Sequence, residues 1–104
     1  MPYSIRFDDA TNDHFERLTP RQRALVLDAI EHQLAHQPTL ETRNRKPMQA
    51  DKPGFIAPWE LRVAGDLRVY YDVPEGPAPI VLIVALGVKI RNRVWIGDAE
   101  IETP

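Results

Sequence analysis

Cysteine is absent from the 104 residues, which excludes a disulfide framework, a cysteine-ligated zinc site and thiol catalysis together. Long hydrophobic runs are missing too. The longest, Ile80 to Leu86, is far too short to span a bilayer, so no membrane contact is expected. The opening MPYSIRFDD has neither the basic start nor the long apolar stretch of a signal peptide, which makes the cytoplasm the expected location. A strong charge of either sign is also lacking. The formal net charge of −2 argues against a protein whose whole surface grips nucleic acid. Internal repeats, low-complexity tracts and a phosphate-loop pattern are not found. What is present, 43% hydrophobic and 27% charged residues, is the balance of one ordinary globular domain over 1–104. A chain of this size buries roughly two-thirds of its unfolded surface and can fold alone.

Charge is distributed more tellingly than its sum. Residues 1–42 hold four basic and seven acidic side chains, net −3, whereas residues 43–72 hold six basic and four acidic, net +2. Two clusters are dense: Arg43, Arg45 and Lys46, and Lys89, Arg91 and Arg93. Either can be a solvated loop. As nucleic-acid contacts the candidates are Arg43, Arg45, Lys46, Arg91 and Arg93, with Trp95 able to complete the core or stack a base. His32 and His36 stand at i and i+4, but no third ligand accompanies them, so no metal site and no cofactor are expected; His14 is read as a surface residue.

Ten prolines punctuate the chain. Residues 3–7 alternate Tyr3, Ile5 and Phe7 against Ser4 and Arg6, a short half-buried strand. Asp8 or Asp9 can cap a short helix near 11–18 carrying Phe15 and Leu18. Thr19-Pro20-Arg21-Gln22 starts a second helix with a capping box and proline in its first turn. Its expected apolar stripe is Ala24, Leu27, Ile30 and Leu34, running to about residue 36 before Pro38. Pro38, Pro47, Pro53 and Pro58 bracket a loop.

The second half changes period. Trp59, Leu61 and Val63 alternate with Glu60 and Arg62, and Leu67, Val69, Tyr71 and Val73 alternate with Arg68, Tyr70 and Asp72. A two-residue loop between these runs would pair Arg62 with Val69 and mix the faces. The three-residue loop Ala64-Gly65-Asp66 pairs Val63 with Leu67, Leu61 with Val69 and Trp59 with Tyr71, and is the expected register. Ile80–Leu86 reads as a central strand ended by Gly87, followed by a short strand at 94–96 and a polar tail.

That register sets Arg62 opposite Arg68 and Glu60 opposite Tyr70, away from the Trp59 and Leu61 face. Facing like charges are unfavourable unless something anionic answers them. Glu60 and Asp72 can do so as a salt-bridge lattice. Alternatively the guanidiniums hold a phosphodiester and stabilise its in-line transition state without a metal, with Tyr70 or Glu60 moving protons.

Trp59-Glu60-Leu61-Arg62, then Arg68-Val69-Tyr70-Tyr71, then the apolar strand ending Leu86-Gly87-Val88-Lys89 resemble the C-terminal half of the RelE/ParE toxins of type II toxin–antitoxin modules, and the element order matches over nearly the whole chain. The resemblance implies an α+β fold: an N-terminal strand and a helical hairpin packed on one face of a twisted, mostly antiparallel sheet of three to five strands. It implies a cytoplasmic toxin held inactive by a cognate antitoxin; a homodimer or a toxin–antitoxin hetero-oligomer is the expected assembly. One branch cleaves mRNA, usually on the ribosome, by metal-independent attack of the ribose 2′-hydroxyl; another inhibits DNA gyrase and is not an enzyme; an inactive relative would bind only its antitoxin. By resemblance Arg68 stands at the phosphate-binding arginine, Arg62 at a second basic position and Lys89 at the basic position after the glycine. The chain departs from the ribonuclease pattern in carrying Glu60 where some members have lysine, and no tyrosine or histidine after Lys89.

Overall fold

The computed structural model describes residues 2–101. The chain runs β1 (Ser4–Phe7), α1 (Thr11–Glu16), α2 (Pro20–Leu34), β2 (Arg45–Pro47), β3 (Trp59–Val63), β4 (Leu67–Asp72), β5 (Ile80–Ile90), β6 (Arg93–Ile96) and β7 (Ala99–Ile101). The strands form one sheet in the order β2-β3-β4-β5-β6-β7. β1 lies parallel to the first part of β5, pairing Ser4 with Ile80 and Phe7 with Ile83. β6 pairs antiparallel with its last part, Val88 to Trp95 and Ile90 to Arg93. An eleven-residue strand thus serves three partners. The α+β architecture agrees with the expectation, but among the described residues the sheet has seven strands rather than three to five.

Local chemistry explains the helices. Thr19 accepts from the Gln22 backbone N–H while the Gln22 side chain accepts from the Thr19 N–H, closing the capping box. Before α1, Asp8 works one turn early: its carboxylate accepts from the Ala10 N–H and its carbonyl from Thr11, and the N-cap residue itself is Ala10. The buried stripe of α2 is Val26, Ile30 and Leu34; Leu27 is 48% exposed, and Ala24 is exposed too. The stripe is therefore rotated from the expected one, because Leu25 and Ala29 complete the contact instead. Together these residues cover Leu61, Val63, Leu67, Val69, Tyr71, Val81, Ile83 and Leu86 in the main core. Burying a side chain of this size is worth roughly 1.5–3 kcal/mol. Trp59 stacks on Tyr71, whose hydroxyl donates to the Pro38 carbonyl at 2.6 Å.

The β3–β4 register is the expected one, residue for residue from Trp59↔Tyr71 to Val63↔Leu67. Three features differ from expectation. β2 forms inside the proline-bracketed loop. Gly87 does not end β5 but sits within it, opposite Arg68, where a Cβ would lie 3.1 Å from Val94 Cγ1 and 3.3 Å from Tyr70 Cε2. The turn falls instead at Arg91-Asn92, both with positive φ, as a tight two-residue hairpin requires. Finally, the expected polar tail contributes β7, its last residues 102–104 lying outside the described ones.

Candidate nucleic-acid interface

Strand alternation sorts the basic residues before any contact is measured. On the sheet face away from the helices, the β4–β5 register shifts between Tyr70 and Tyr71, so Val84 and Ala85 both turn to that face. There they join Ala57, Tyr70 and Val94, with Met48, Ile56, Ile96 and Ile101 packed alongside, in a second apolar cluster. Beside it a groove of about 320 Å³ opens, lined by Met48, Glu60, Arg62, Arg68, Lys89, Asn92 and Val94. Four of the five expected catalytic positions meet in it.

Arg62 and Arg68 are directly opposed across the hairpin. Glu60 answers both: its Oε1 accepts from Arg62 Nε at 3.2 Å and lies 3.9 Å from Arg68 Nε. Asp72, the second expected counter-charge, forms no ion pair among the described residues. Three cations against one carboxylate leave the lining at +2. Arg68 is not the exposed side chain expected of a polar sheet face. It is 5% exposed, and its Nη1 donates to the Gly65 and Leu67 carbonyls at 2.8 and 3.0 Å, folding it over the turn. Its Nη2 makes no hydrogen bond among the described residues. Arg62, with 46% of its side chain exposed, is the more accessible of the two.

Tyr70 reaches the expected face but is 1% exposed, buried in the second cluster and absent from the groove lining. Burial chiefly, and then Glu60, push its hydroxyl pKa far up, with Arg68 and Arg62 opposing. It is neither an open stacking platform nor a ready proton donor. The six expected RNA contacts divide. Arg43 and Lys46 are exposed, and Lys46 stands beside Glu60 on the groove face. Arg45, one residue earlier, points the other way: it is 7% exposed and its Nη1 donates to the Gln33 and Gln37 carbonyls at the end of α2. Arg91 is exposed at the β5–β6 turn. Arg93 and Trp95 share the helix face, Arg93 reaching Glu100 at 3.5 Å and Trp95 lying by His14, Leu18 and Leu86. A flat cluster in sequence becomes two faces in a strand.

His14 is no free surface residue either. Its Nδ1 accepts from the Leu86 N–H at 3.2 Å. Burial lowers its pKa from the ordinary histidine value; Asp13 opposes this, Arg17 adds to it and Asp8 opposes it. His32 is exposed beside Asp28, and no group of three His, Asp or Glu side chains gathers among the described residues. No helix among them is long and apolar enough to cross a membrane. The groove residues missed by sequence reasoning are Met48, Asn92 and Val94, the first because its loop carries no periodic signal, the second because it is a turn residue and the third because it reads only as part of a short strand.

With this geometry in place, comparison with known proteins decides the fold. A chain of the crystal structure of the RelBE2 toxin–antitoxin complex from Mycobacterium tuberculosis superposes with a TM-score of 0.65 and 24% sequence identity, covering 83% of this chain and 96% of that one. The fold is RelE-like. No protein-family model matches the chain, and no curated protein matches it. The RelE-like fold places the groove on the open sheet face, opposite its two helices.

Proposed function

We propose that the protein is the toxin of a type II toxin–antitoxin module and a metal-independent mRNA endoribonuclease, neutralised by a cognate antitoxin. The observation that carries this reading is the convergence of Arg62, Arg68 and Lys89 on one groove of a RelE-like sheet. The neighbour's own structure is of a toxin–antitoxin complex, which supports an antitoxin partner.

In the proposed reaction the ribose 2′-oxygen attacks the adjacent phosphorus, the bond to the 5′-oxygen breaks, and the products are a 2′,3′-cyclic phosphate and a 5′-hydroxyl. The exposed Arg62 and the free Nη2 of Arg68 would hold the non-bridging oxygens, with charge that counts most as the phosphorane forms. Glu60 is the carboxylate placed to accept the 2′-hydroxyl proton, leaving Arg62 as a phosphate binds. Lys89 donates to the departing 5′-oxygen. This arrangement needs no terminal tyrosine or histidine.

Inducible expression followed by RNA primer extension tests it. Growth arrest with discrete mRNA cuts, relieved by co-expressing the adjacent small reading frame, is the expected result. Arg62→Ala should slow cleavage by about 10²–10³ while leaving the fold intact, since exposed ion pairs contribute about 0–1 kcal/mol. DNA breaks linked to gyrase, with mRNA uncut, would instead assign the non-enzymatic branch. Harmless overexpression with capture of the antitoxin alone would make the chain an inactive relative.

A further inference from the structure

We propose that the cleft formed by the 48–55 loop against β2 and β3 is a nucleobase subsite, where Phe55 stacks one base of a single-stranded RNA whose backbone enters the arginine groove. The inference rests on the ribonuclease reading and adds the part of the substrate that lies beside the scissile phosphate. The cleft is about 330 Å³, lined by Lys46, Pro47, Met48, Lys52, Phe55 and Glu60 among others. That is the lower end of the range for small-ligand pockets, about 300–1,000 Å³, as one nucleoside requires.

Three observations argue for this occupant. The first is that Phe55 stays 37% exposed although a core lies next to it: Ile56 and Ala57, the following two residues, turn into the second apolar cluster. The loop is closed at its base by the Met48 N–H donating to the Pro58 carbonyl at 2.7 Å, and the Lys52 N–H donating to the Gln49 carbonyl at 3.1 Å forms a turn within it. The ring is thus held at the cleft by an anchored loop. The second is continuity: Met48 and Glu60 line both the cleft and the arginine groove. Glu60 and Arg62 are two residues apart on β3, a step of about 7 Å, so an extended strand can present a base at one and a phosphate at the other. The third is charge. Lys46, Lys52, Arg62, Arg68 and Lys89 oppose Glu60 alone along the two clefts, a local +4 on a chain whose net charge is −2. An apolar peptide side chain would explain the ring but not the cations. A single-stranded nucleic acid supplies planar apolar bases and a phosphate track together.

The test uses the full chain and a short fluorescein-labelled single-stranded RNA, 2′-O-methylated throughout so that it binds without being cut. Phe55→Ala should weaken binding by about 5- to 100-fold, the range of one base–aromatic stack, and Phe55→Trp should restore it. A scan with one abasic nucleotide at each position adds the specific readout. At one position the missing base should weaken wild-type binding and leave Phe55→Ala binding unchanged. Urea midpoints equal to wild type exclude misfolding as the cause. If abasic substitution costs both proteins equally at every position, the subsite is overturned while the phosphate groove stands. If Phe55→Ala spares RNA but loses the co-expressed antitoxin, the cleft is a peptide site and the proposal fails. If wild-type protein binds no RNA and Arg62→Ala changes nothing, the ribonuclease reading falls and takes the subsite with it.

Discussion

Arg45 and Lys46 are neighbours in sequence and opposites in burial, and under the ribonuclease reading substituting each to alanine should separate support of the fold from contact with RNA. Arg45 is 7% exposed, and its guanidinium donates to two carbonyls, Gln33 and Gln37, at the end of α2. Hydrogen bonds from a charged donor contribute about 1.5–3 kcal/mol each, whereas a buried polar atom without a partner costs about 1–3. Arg45 Nε is such an atom. A cation at a helix C-terminus adds about 0.3–1 kcal/mol. Arg45→Ala should therefore destabilise by about 2–4 kcal/mol out of a total of about 5–15. At this chain length each kcal/mol lowers the melting temperature by roughly 4–8 °C, so a drop of about 10–25 °C is expected in a thermal melt followed by circular dichroism. Lys46→Ala, at an exposed position, should stay within about 0.5 kcal/mol of wild type. It should instead bind single-stranded RNA more weakly and reduce the slope of log affinity against log salt by about 0.7. An Arg45→Ala protein that melts with wild type and binds RNA less well would refute the assignment of this arginine to the end of α2.

Arg68→Ala should lose cleavage and also about 2–4 kcal/mol of stability, because two charge-assisted bonds to the hairpin turn go with the phosphate contact; an unchanged urea midpoint would show that the turn does not need it. Gly87→Ala should destabilise by about 1–3 kcal/mol through overpacking against Val94, Tyr70 and the Trp95 backbone, again read from the urea midpoint. His14 gives a pH signature. Its folded pKa is depressed, so its contribution is fully present above the unfolded value of 6.5 and is lost as pH falls through the lower folded one. Stability should fall on acidification over that window, and His14→Gln should flatten this slope. His32, whose pKa is raised chiefly by its hydrogen bond to the Asp28 backbone, contributes with the opposite sign and remains in both proteins. An identical slope in the variant would remove His14 from the effect.

The hairpin was legible because two independent constraints, apolar alternation and a glycine-containing turn, agree on one register. The capping box at Thr19 and Gln22 was legible for a similar reason, since both partners are named by spacing. Where single residues carried the signal, the reading failed. Gly87 resembles a turn glycine in sequence, yet it lies within a strand, where Val94 and Tyr70 leave little room for a Cβ. β2 is three residues of mixed polarity ending in proline, with no period to detect. The basic clusters misled because charge density says nothing about direction: one step along β2 separates the buried Arg45 from the exposed Lys46, and one turn sends Arg93 to the far face. Leu27 and Val26 compete for the same stripe, and only the packing of α2 on the sheet chooses between them.

The shared strand β5 also sets an order on how the molecule can be made. β1, made before the other strands described, has its partner at Ile80–Ile83, and β4 and β6 pair with the same strand. At about 5–20 residues per second, β1 waits several seconds for residues it can pair with, and contacts of such separation form late in any case. The β3–β4 hairpin can close locally, but Lys89 and Asn92 arrive about twenty residues after Arg68. A nascent chain therefore carries two of the groove's cations without the third until β5 has been made. Under the proposed ribonuclease reading, the growing polypeptide has no complete phosphate groove, and an antitoxin that recognises the sheet meets its target only once β5 is in place.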